Sequence, residues 1–341
     1  MPNAASRPVG SPYNLTDSTL ISGTDTGAGQ ITRSAEGLFL MVSGYNGING
    51  DANIAISDAN VVNRTLGILD GTATMYTPIA YNNIASGGTY RSLASDGHTF
   101  WAATSSMILF TDFSSATQLT AAGKGDSRVV NIFNHTLFAS TQSPDFNGTG
   151  SNSNLGIWQI GTLGTLPTTG TPALVNIINT GTGSTPSAFQ FNTAMTVAYV
   201  ADDRSSSSGG IQKWTSNGAG TWSLQYTLST GVANIGARGL TVDWSNPSAP
   251  VLYGTSAEAS NNRLFKVTDT GAGSAATTLA SAGANKAFRG VDFALLPSAW
   301  TSSTSGNWST TTATTYNSTV GSTVPKYGNW TTGLERSEAH V

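Results

Sequence analysis

Arginine is scarce in this chain, yet half of it recurs at one place in a repeated sequence unit. Of ten arginines in 341 residues, Arg33, Arg91, Arg128, Arg238 and Arg289 each open a short apolar stretch. The stretches are TRSAEGLFLMVSGY, YRSLASDGHTFWAATS, SRVVNIFNHTLFASTQ, ARGLTVDWSNPSAPVLYGTS and FRGVDFAL. An arginine stays charged at any ordinary pH and presents a planar fork of donors that matches a carboxylate or a phosphate. Five of them around one opening would focus positive potential there, although the chain carries a formal charge of −3. The ligand such a ring suits is an anionic small molecule or an acidic glycan: a uronate, a phosphate ester, a carboxylated sugar. The alternative is structural, each arginine tying loop carbonyls or the acid of a neighbouring unit. A side chain repeated with the fold often serves the repeat.

Other residues could also do chemistry. Asp202 and Asp203 open the polar loop DDRSSSSGG, and adjacent carboxylates among hydroxyl and backbone oxygens suit Ca²⁺, which takes six to eight oxygen ligands. PDFNGTGSNSN (144–154) is a second oxygen-rich loop with one acid, Asp145. Asp and Asn are equally ordinary turn formers. Asp243 and Asp292, on strands that open a unit, are the candidates for general acid–base work if burial shifts them. His98 and His135 occupy equivalent turns of neighbouring units, too far apart to share a metal, and His340 lies near the end of the chain. No G-x-S-x-G elbow, HExxH or P-loop is present, and each GAG or GTG lacks the third glycine of a dinucleotide site.

The elements that must position these residues are set by the repeat. After each arginine come a short strand, a polar turn, and a second strand ending in aromatic and small residues. His98-Thr99-Phe100-Trp101-Ala102 matches His135-Thr136-Leu137-Phe138-Ala139. A sixth copy, SAFQFNTAMTVAYVADD, fills the double interval between Arg128 and Arg238, with Phe189 near the arginine position. Arg33 to Arg289 spans 256 residues in five steps, a period of about 51. Third strands come next in most copies and fourth strands in some. Four short strands per unit at this spacing predict an all-β, six-bladed β-propeller. In such a ring the arginines circle one mouth of the central channel. Residues leaving the second strands join them: Tyr45, Asn46, Gln142, Asp202, Asp203, Arg204 and Glu258. The two histidine turns lie on the opposite face.

Composition bounds the function. Charged residues are 10% of the chain against about 25% in typical domains. That thin charge excludes the dense basic face of a nucleic-acid binder. Cysteine is absent, so no disulfide framework or thiolate zinc site can form. No apolar run reaches the roughly 18 residues of a membrane span. The N-terminus MPNAASRPVG is no signal peptide, which makes the chain a fragment if its parent is secreted.

Closure of the ring is the weak point of the pattern. The sixth unit contributes an inner strand, FRGVDFALLP, and residues 1–31 hold little strand signal with which to complete it. An irregular closing blade is expected, filled by the tail or by strand exchange with a second chain. The expected division is a propeller over 1–297, a Thr/Ser/Trp-rich tail over 298–333 able to supplement blade six, and a read-through or cloning remnant over 334–341.

The unit SNNRLFKVTDTGAGSAATTLASAGANKAFRGVDFALLP (260–297), with TRSAEGLFLMVSGYNG (32–47), VNIFNHTLFAST (130–141) and VAYVADD (197–203), resembles a family of secreted bacterial propeller proteins. Its members are mostly hypothetical surface proteins of the PEP-CTERM or autotransporter-associated type. The resemblance covers about residues 15–297 and implies a six-bladed ring and an extracellular or cell-surface location. It brings no catalytic residues, and the chain departs from it in lacking the upstream strand pair that closes the ring. The expected function is a non-catalytic binding or spacer module with an Arg-lined mouth. The ligand-binding residues would be Arg33, Arg91, Arg128, Arg238, Arg289, Tyr45 and Glu258. The alternative is a metal-assisted hydrolase or lyase acting on a phosphoester, lactone or uronate at the same mouth.

Overall fold

β-Branched and aromatic bursts separated by Gly, Asn and Ser turns give short antiparallel strands, because such side chains pack well on a pleated surface and the turn residues tolerate positive φ. The hairpin of the third unit shows the rule. Asn134 and His135 sit at φ 46° and 54°, the left-handed pair that a two-residue turn needs to match strand twist. In the computed structural model, residues 19–51, 53–71, 75–76, 80–112, 115–121, 125–148 and 154–295 are described.

They form five antiparallel sheets, each built in chain order from the inside out. The first holds β1 (Ile31–Arg33), β2 (Phe39–Asn46), β3 (Asn63–Asp70) and β4 (Met75–Tyr76), with β5 (Ala80–Tyr81) also on β3. The second holds β6 (Tyr90–Ser95), β7 (Phe100–Thr104), β8 (Ile108–Thr111) and β9 (Ala116–Gln118). The third comprises β10 (Ser127–Phe133), β11 (Thr136–Thr141), β12 (Gly156–Ile160) and β13 (Leu174–Asn179). The fourth comprises β14 (Pro186–Phe191), β15 (Val197–Asp202), β16 (Gly210–Ser216) and β17 (Trp222–Leu228). The fifth is β18 (Ala237–Asp243), β19 (Val251–Ser256), β20 (Arg263–Thr268) and β21 (Ala276–Ser281). The inner strands β6, β10, β14 and β18 stand beside one another, and β1 beside β6, as blades around an axis do.

The molecule is therefore a β-propeller, and the expected count of six is corrected to five blades among the described residues. The sixth start, Arg289 to Leu295, lies extended between the fifth and first blades but pairs into no strand. Gly290 N–H donates to the carbonyl of Gly29 at 3.0 Å on one side. Thr255 Oγ1 donates to the carbonyl of Arg289 at 2.7 Å on the other. The tail expected to supplement this blade, 298–333, and the remnant at 334–341 lie outside the described residues.

Blade faces bury alternate residues, and the core is correspondingly divided into layers between blades. Leu93 and Ala102 of the second blade pack with Met41, Tyr45 and Leu66 of the first. Ala94 and Trp101, on the opposite face, pack with Val130, Leu137 and Trp158 of the third. A third cluster joins blades three, four and five through Phe138, Phe189, Tyr199 and Phe265. Central strands such as β7, buried along its whole length, read as unbroken apolar runs for this reason.

Candidate functional site at the channel mouth

The inner strands of blades two to five begin with the same local irregularity. Between Tyr90 and Ser92, Ser127 and Val130, Pro186 and Phe189, and Ala237 and Leu240, the register of the inner hairpin shifts. One extra residue is accommodated in each case. A bulge re-aims the extra side chain out of the blade face. The residue just after the first pair is Arg91, Arg128, Ser187 or Arg238. In the fourth blade Ser187 thus takes the arginine position that was expected near Phe189, and Phe189 is core. In the first blade Gln30 stands beside Arg91, its N–H donating to the Arg91 carbonyl at 3.4 Å.

These side chains form an alternating chain of charge. Arg91 Nε donates to Asp25 at 3.2 Å and its Nη1 to Asp126 at 2.5 Å. Arg128 lies between Asp126 and Asp203, at 3.6 and 3.7 Å. Arg238 Nε donates to Asp203 at 3.2 Å, and its Nη2 to the carbonyl of Ala257 at 2.9 Å. Gln142 Nε2 donates to the other oxygen of Asp126 and fixes its orientation. Arg289 reaches only carbonyls among the described residues, those of Thr26 and Gly23 at 3.3 and 3.4 Å.

A loop, Ser22 to Gly29, lies over this rim. Ser22 Oγ accepts from the N–H groups of Thr24 and Asp25, and Asp25 Oδ1 accepts from Gly27 N–H at 2.9 Å. These turns aim the Asp25 carboxylate at Arg91. Gly27 passes so close that a Cβ there would come within 3.0 Å of Arg91 Nε and 3.4 Å of Arg128 Nη1. A side chain there would have to push the two guanidinium groups back by a few tenths of an ångström.

Three buried donors at the rim, Arg128 Nε, Arg238 Nη1 and Gln30 Nε2, have no hydrogen-bond partner, and neither do Ser187 Oγ and the acceptors Gln142 Oε1 and Glu258 Oε2. A buried donor left unpaired costs about 1–3 kcal/mol, more when charged. Charge is unbalanced as well. Four arginines (91, 128, 238 and 289) face three aspartates (25, 126 and 203), leaving one positive charge. Burial lowers the Arg128 pKa, and the Arg91 charge adds to this. Arg289 is lowered by burial and by Arg238. Burial pushes Asp25 up, but Arg91 and the Gly27 hydrogen bond more than offset it, so its carboxyl lies below its ordinary 3.8.

The other expected site residues fall elsewhere. Arg33 lies at the hairpin end of β1, at the far end of the inner strand. It bonds the carbonyls of Gly37, Phe293 and Ala294 at 3.3, 2.5 and 3.3 Å and stands 3.7 Å from Asp292. It is removed from the mouth grouping. Tyr45 is fully buried, its hydroxyl accepting from Tyr90 N–H at 2.8 Å, and burial pushes its pKa up to about 12. It belongs to the core between blades one and two. Glu258 comes just after the carbonyl that takes Arg238 and stands 3.9 Å from Arg263. Asp202 is fully buried and ringed by donors from Thr185, Arg204 and Gln212, while Asp203 serves Arg128 and Arg238. Among the described residues no three His, Asp or Glu side chains gather as a metal site would require. Asp243 caps a turn by accepting from Ser245 N–H at 2.9 Å.

Asp292 is the buried acid of this group, accepting from Phe293 N–H at 2.7 Å and Thr241 Oγ1 at 3.2 Å. Burial raises its pKa, and Arg33 only partly offsets this. An acid raised on folding costs stability once it ionises, above its folded pKa, and costs nothing well below 3.8. Asp292→Asn is expected to raise the melting temperature by a few degrees at pH 7 and to leave it unchanged at pH 3. An equal shift at both pH values would instead make it a packing effect. Asp25 runs the opposite way: its contribution is present above 3.8 and is lost as the pH falls through its lower folded value.

Sequence reading missed Asp25, Asp126, Gln30 and Ser187. For Gln30 a signal was present: aligned on their hairpins, Ser34-Ala35-Glu36-Gly37 matches Ser95-Asp96-Gly97, and four residues before each serine stand Gln30 and Arg91.

No family model and no curated protein sequence matches the chain. Solved structures resemble it distantly. A candidate 6-phosphogluconolactonase from Bacteroides uniformis has 11% identity, with 74% of this chain and 70% of that chain covered, at a TM-score of 0.44. The extracellular domain of a hybrid two-component system from B. thetaiotaomicron has 10% identity over 81% of this chain at 0.44, where the match spans 35% of the other chain. The β-propeller domain of Cps50 from Myceliophteria thermophila has 10% identity over 74% and 86% of the two chains at 0.43. Likeness at this level carries nothing about function, and the propeller assignment rests on the chain's own sheets. Among the described residues no helix is long and apolar enough to cross a membrane.

Proposed function

We propose that the chain is a non-catalytic binding module from a secreted bacterial surface protein, and that its channel mouth takes one negatively charged group, a carboxylate of an acidic glycan. The observation that carries this reading is the set of buried donors without acceptors, Arg128 Nε, Arg238 Nη1 and Gln30 Nε2, around one unmatched positive charge. An oxyanion bound there would complete those hydrogen bonds. The rim atoms are nearly closed to solvent, which favours a single small acidic group over a run of phosphates. The hydrolase alternative starts without a ligand set, since Asp126, Asp202 and Asp203 already accept from guanidinium groups.

Arg128 is the discriminating residue, because its side chain makes no hydrogen bond among the described residues and its ion pairs are long. A charge-assisted hydrogen bond to a ligand is worth about 1.5–3 kcal/mol, a factor of roughly 10–150 in affinity. Arg128→Gln is therefore expected to lower affinity for glucuronate or galacturonate oligosaccharides at least about tenfold in calorimetric titration. Its melting temperature should stay within about 2 °C of the parent, the range of a change below 1 kcal/mol. Neutral oligosaccharides of the same length serve as controls. Equal binding of acidic and neutral sugars, or undiminished binding by Arg128→Gln, would overturn the proposal.

A further inference from the structure

Four of the boundaries between neighbouring blades are filled by buried apolar clusters, and the one between blades five and one is not. At that place the blade-one face formed by Ile31, Leu40, Val42 and Leu69 lines a cavity of about 380 Å³. Its other wall is the lone inner segment Ala287–Gly290. On the blade-five side the outermost strand is exposed on both of its faces. Along β21 every residue but the first is exposed, Leu279 at 45%. Phe293, 37% exposed, meets the fifth blade in an edge contact with Tyr253 at 5.6 Å. An inner segment without outer strands leaves an unpaired edge and an unpartnered apolar face on blade one, which a propeller cannot leave open without cost.

We infer that this gap is filled by the chain's own residues 298–333, folded as the outer strands of a sixth blade. Three facts select this occupant. In all five blades the strands run outward in chain order, so the stretch of chain after Leu295 is the one that should build outward from the sixth inner segment. Blades two to five use between 23 and 46 residues from the end of the inner strand to the end of the outermost one. The stretch from Leu295 to 333, 38 residues, falls within that range. The segment also carries the apolar and β-forming residues an outer hairpin needs, Trp300, Trp308, Tyr316 and a dense run of threonines. Thr19 covers the part of this face at Gly44 and Gly67: it is fully buried, and its methyl would meet a Cβ placed on them at 2.7 and 3.0 Å. The open wall runs outward from Ile31 on β1 through Leu40 and Val42 to Leu69 on β3 and Met75 on β4.

The inference is independent of what the mouth binds, and hydrogen exchange on the full chain tests it. Backbone amides within 298–333 are expected to exchange at least about a hundredfold more slowly than an unstructured peptide of the same sequence, as amides in paired strands do. Leu40→Asp, which places a carboxylate on the blade-one wall, should abolish that protection while the amides of β10 to β17 stay protected. A chain ending at Leu295 should bind a hydrophobic dye strongly and melt several degrees lower, and added peptide 298–333 should reverse both. Should the shortened chain not fold, the exchange experiment on the full chain decides alone. Unprotected tail amides overturn the inference. So does protection that vanishes on dilution together with a dimer, which would make a second copy the occupant.

Discussion

Arg64→Ala is expected to destabilise the fold by about 3–5 kcal/mol, the cost of emptying a buried polar site around a charge. Arg64 is fully buried on β3, the only guanidinium among the described residues with no exposed surface. Its Nη2 donates to the carbonyls of Ser57 and Ala85 at 2.6 and 2.7 Å. Its Nη1 donates to Ser57 Oγ at 3.1 Å and to the carbonyl of Val62. The guanidinium also lies over the Tyr45 ring, 5.1 Å from its centre. One side chain therefore ties together two irregular connections, 54–62 and 85–88, adding to the turn hydrogen bonds that the Ser57 and Ala85 carbonyls accept from Gly87 and Gly88 N–H. Burial lowers its pKa without removing its charge. Arg64→Met keeps most of the volume and removes the donors, so it should recover little. Arg64→Lys restores one donor group that cannot span both loops. Thermal unfolding should fall by on the order of 10 °C for the alanine and methionine variants, less for lysine. A methionine variant within about 1 kcal/mol of the parent would mean that water can serve those carbonyls, and the loop-anchoring role would be lost.

Asp202→Asn is expected to cost about 3 kcal/mol through the opposite deficit, because it turns an acceptor into a donor among donors. The carboxylate is fully buried at the end of β15. Oδ1 accepts from Thr185 N–H and Oγ1 at 3.0 and 3.3 Å and from Arg204 N–H at 3.3 Å. Oδ2 accepts from Arg204 Nε at 2.8 Å, from Arg204 Nη2, and from Gln212 Nε2 at 2.9 Å. Gln212 is itself held by Trp214 Nε1 at 3.0 Å. Every lone pair is directed at a proton, which is the surrounding of a structural anchor. A Ca²⁺ ligand would need those lone pairs free. The same experiment separates the two roles: the parent's melting temperature should be the same in EDTA and in millimolar Ca²⁺. A Ca²⁺-dependent rise that Asp202→Asn removes would make this carboxylate a metal ligand and reverse the interpretation.

Between blades four and five a second acid plays a comparable part. Asp269 accepts from Lys213 at 2.8 Å, from Tyr226 at 2.7 Å and from Tyr199. Burial alone would raise Asp269, but these hydrogen bonds hold its pKa down. Its stabilising contribution is therefore one that acid removes, in the same sense as that of Asp25.

The recurrence of arginine, hairpin turn and aromatic-plus-small strand was enough to read strands, antiparallel order and a propeller, because these depend on local periodicity and turn chemistry. Arg91, Arg128 and Arg238 come together at one rim, and His98 and His135 lie in the inner hairpin turns of blades two and three. Register was beyond the reach of that recurrence. Aligning Arg33 with the other arginines instead of aligning their hairpins shifts it by three residues, which carries the side chain to the other end of the strand and leaves Gln30 at the mouth. Ser187 was hidden for the same reason, since a bulge changes which residue points at the axis without changing the apolar pattern around it. The acids came from further away still. Asp25 lies 66 residues from its partner Arg91, on a loop whose path only the closed ring defines. Strand content is written in neighbours one and two positions apart. Which charges meet at the axis, and whether a sixth start becomes a blade, depends on contacts between residues remote in sequence, and those exist only once the sheets are packed.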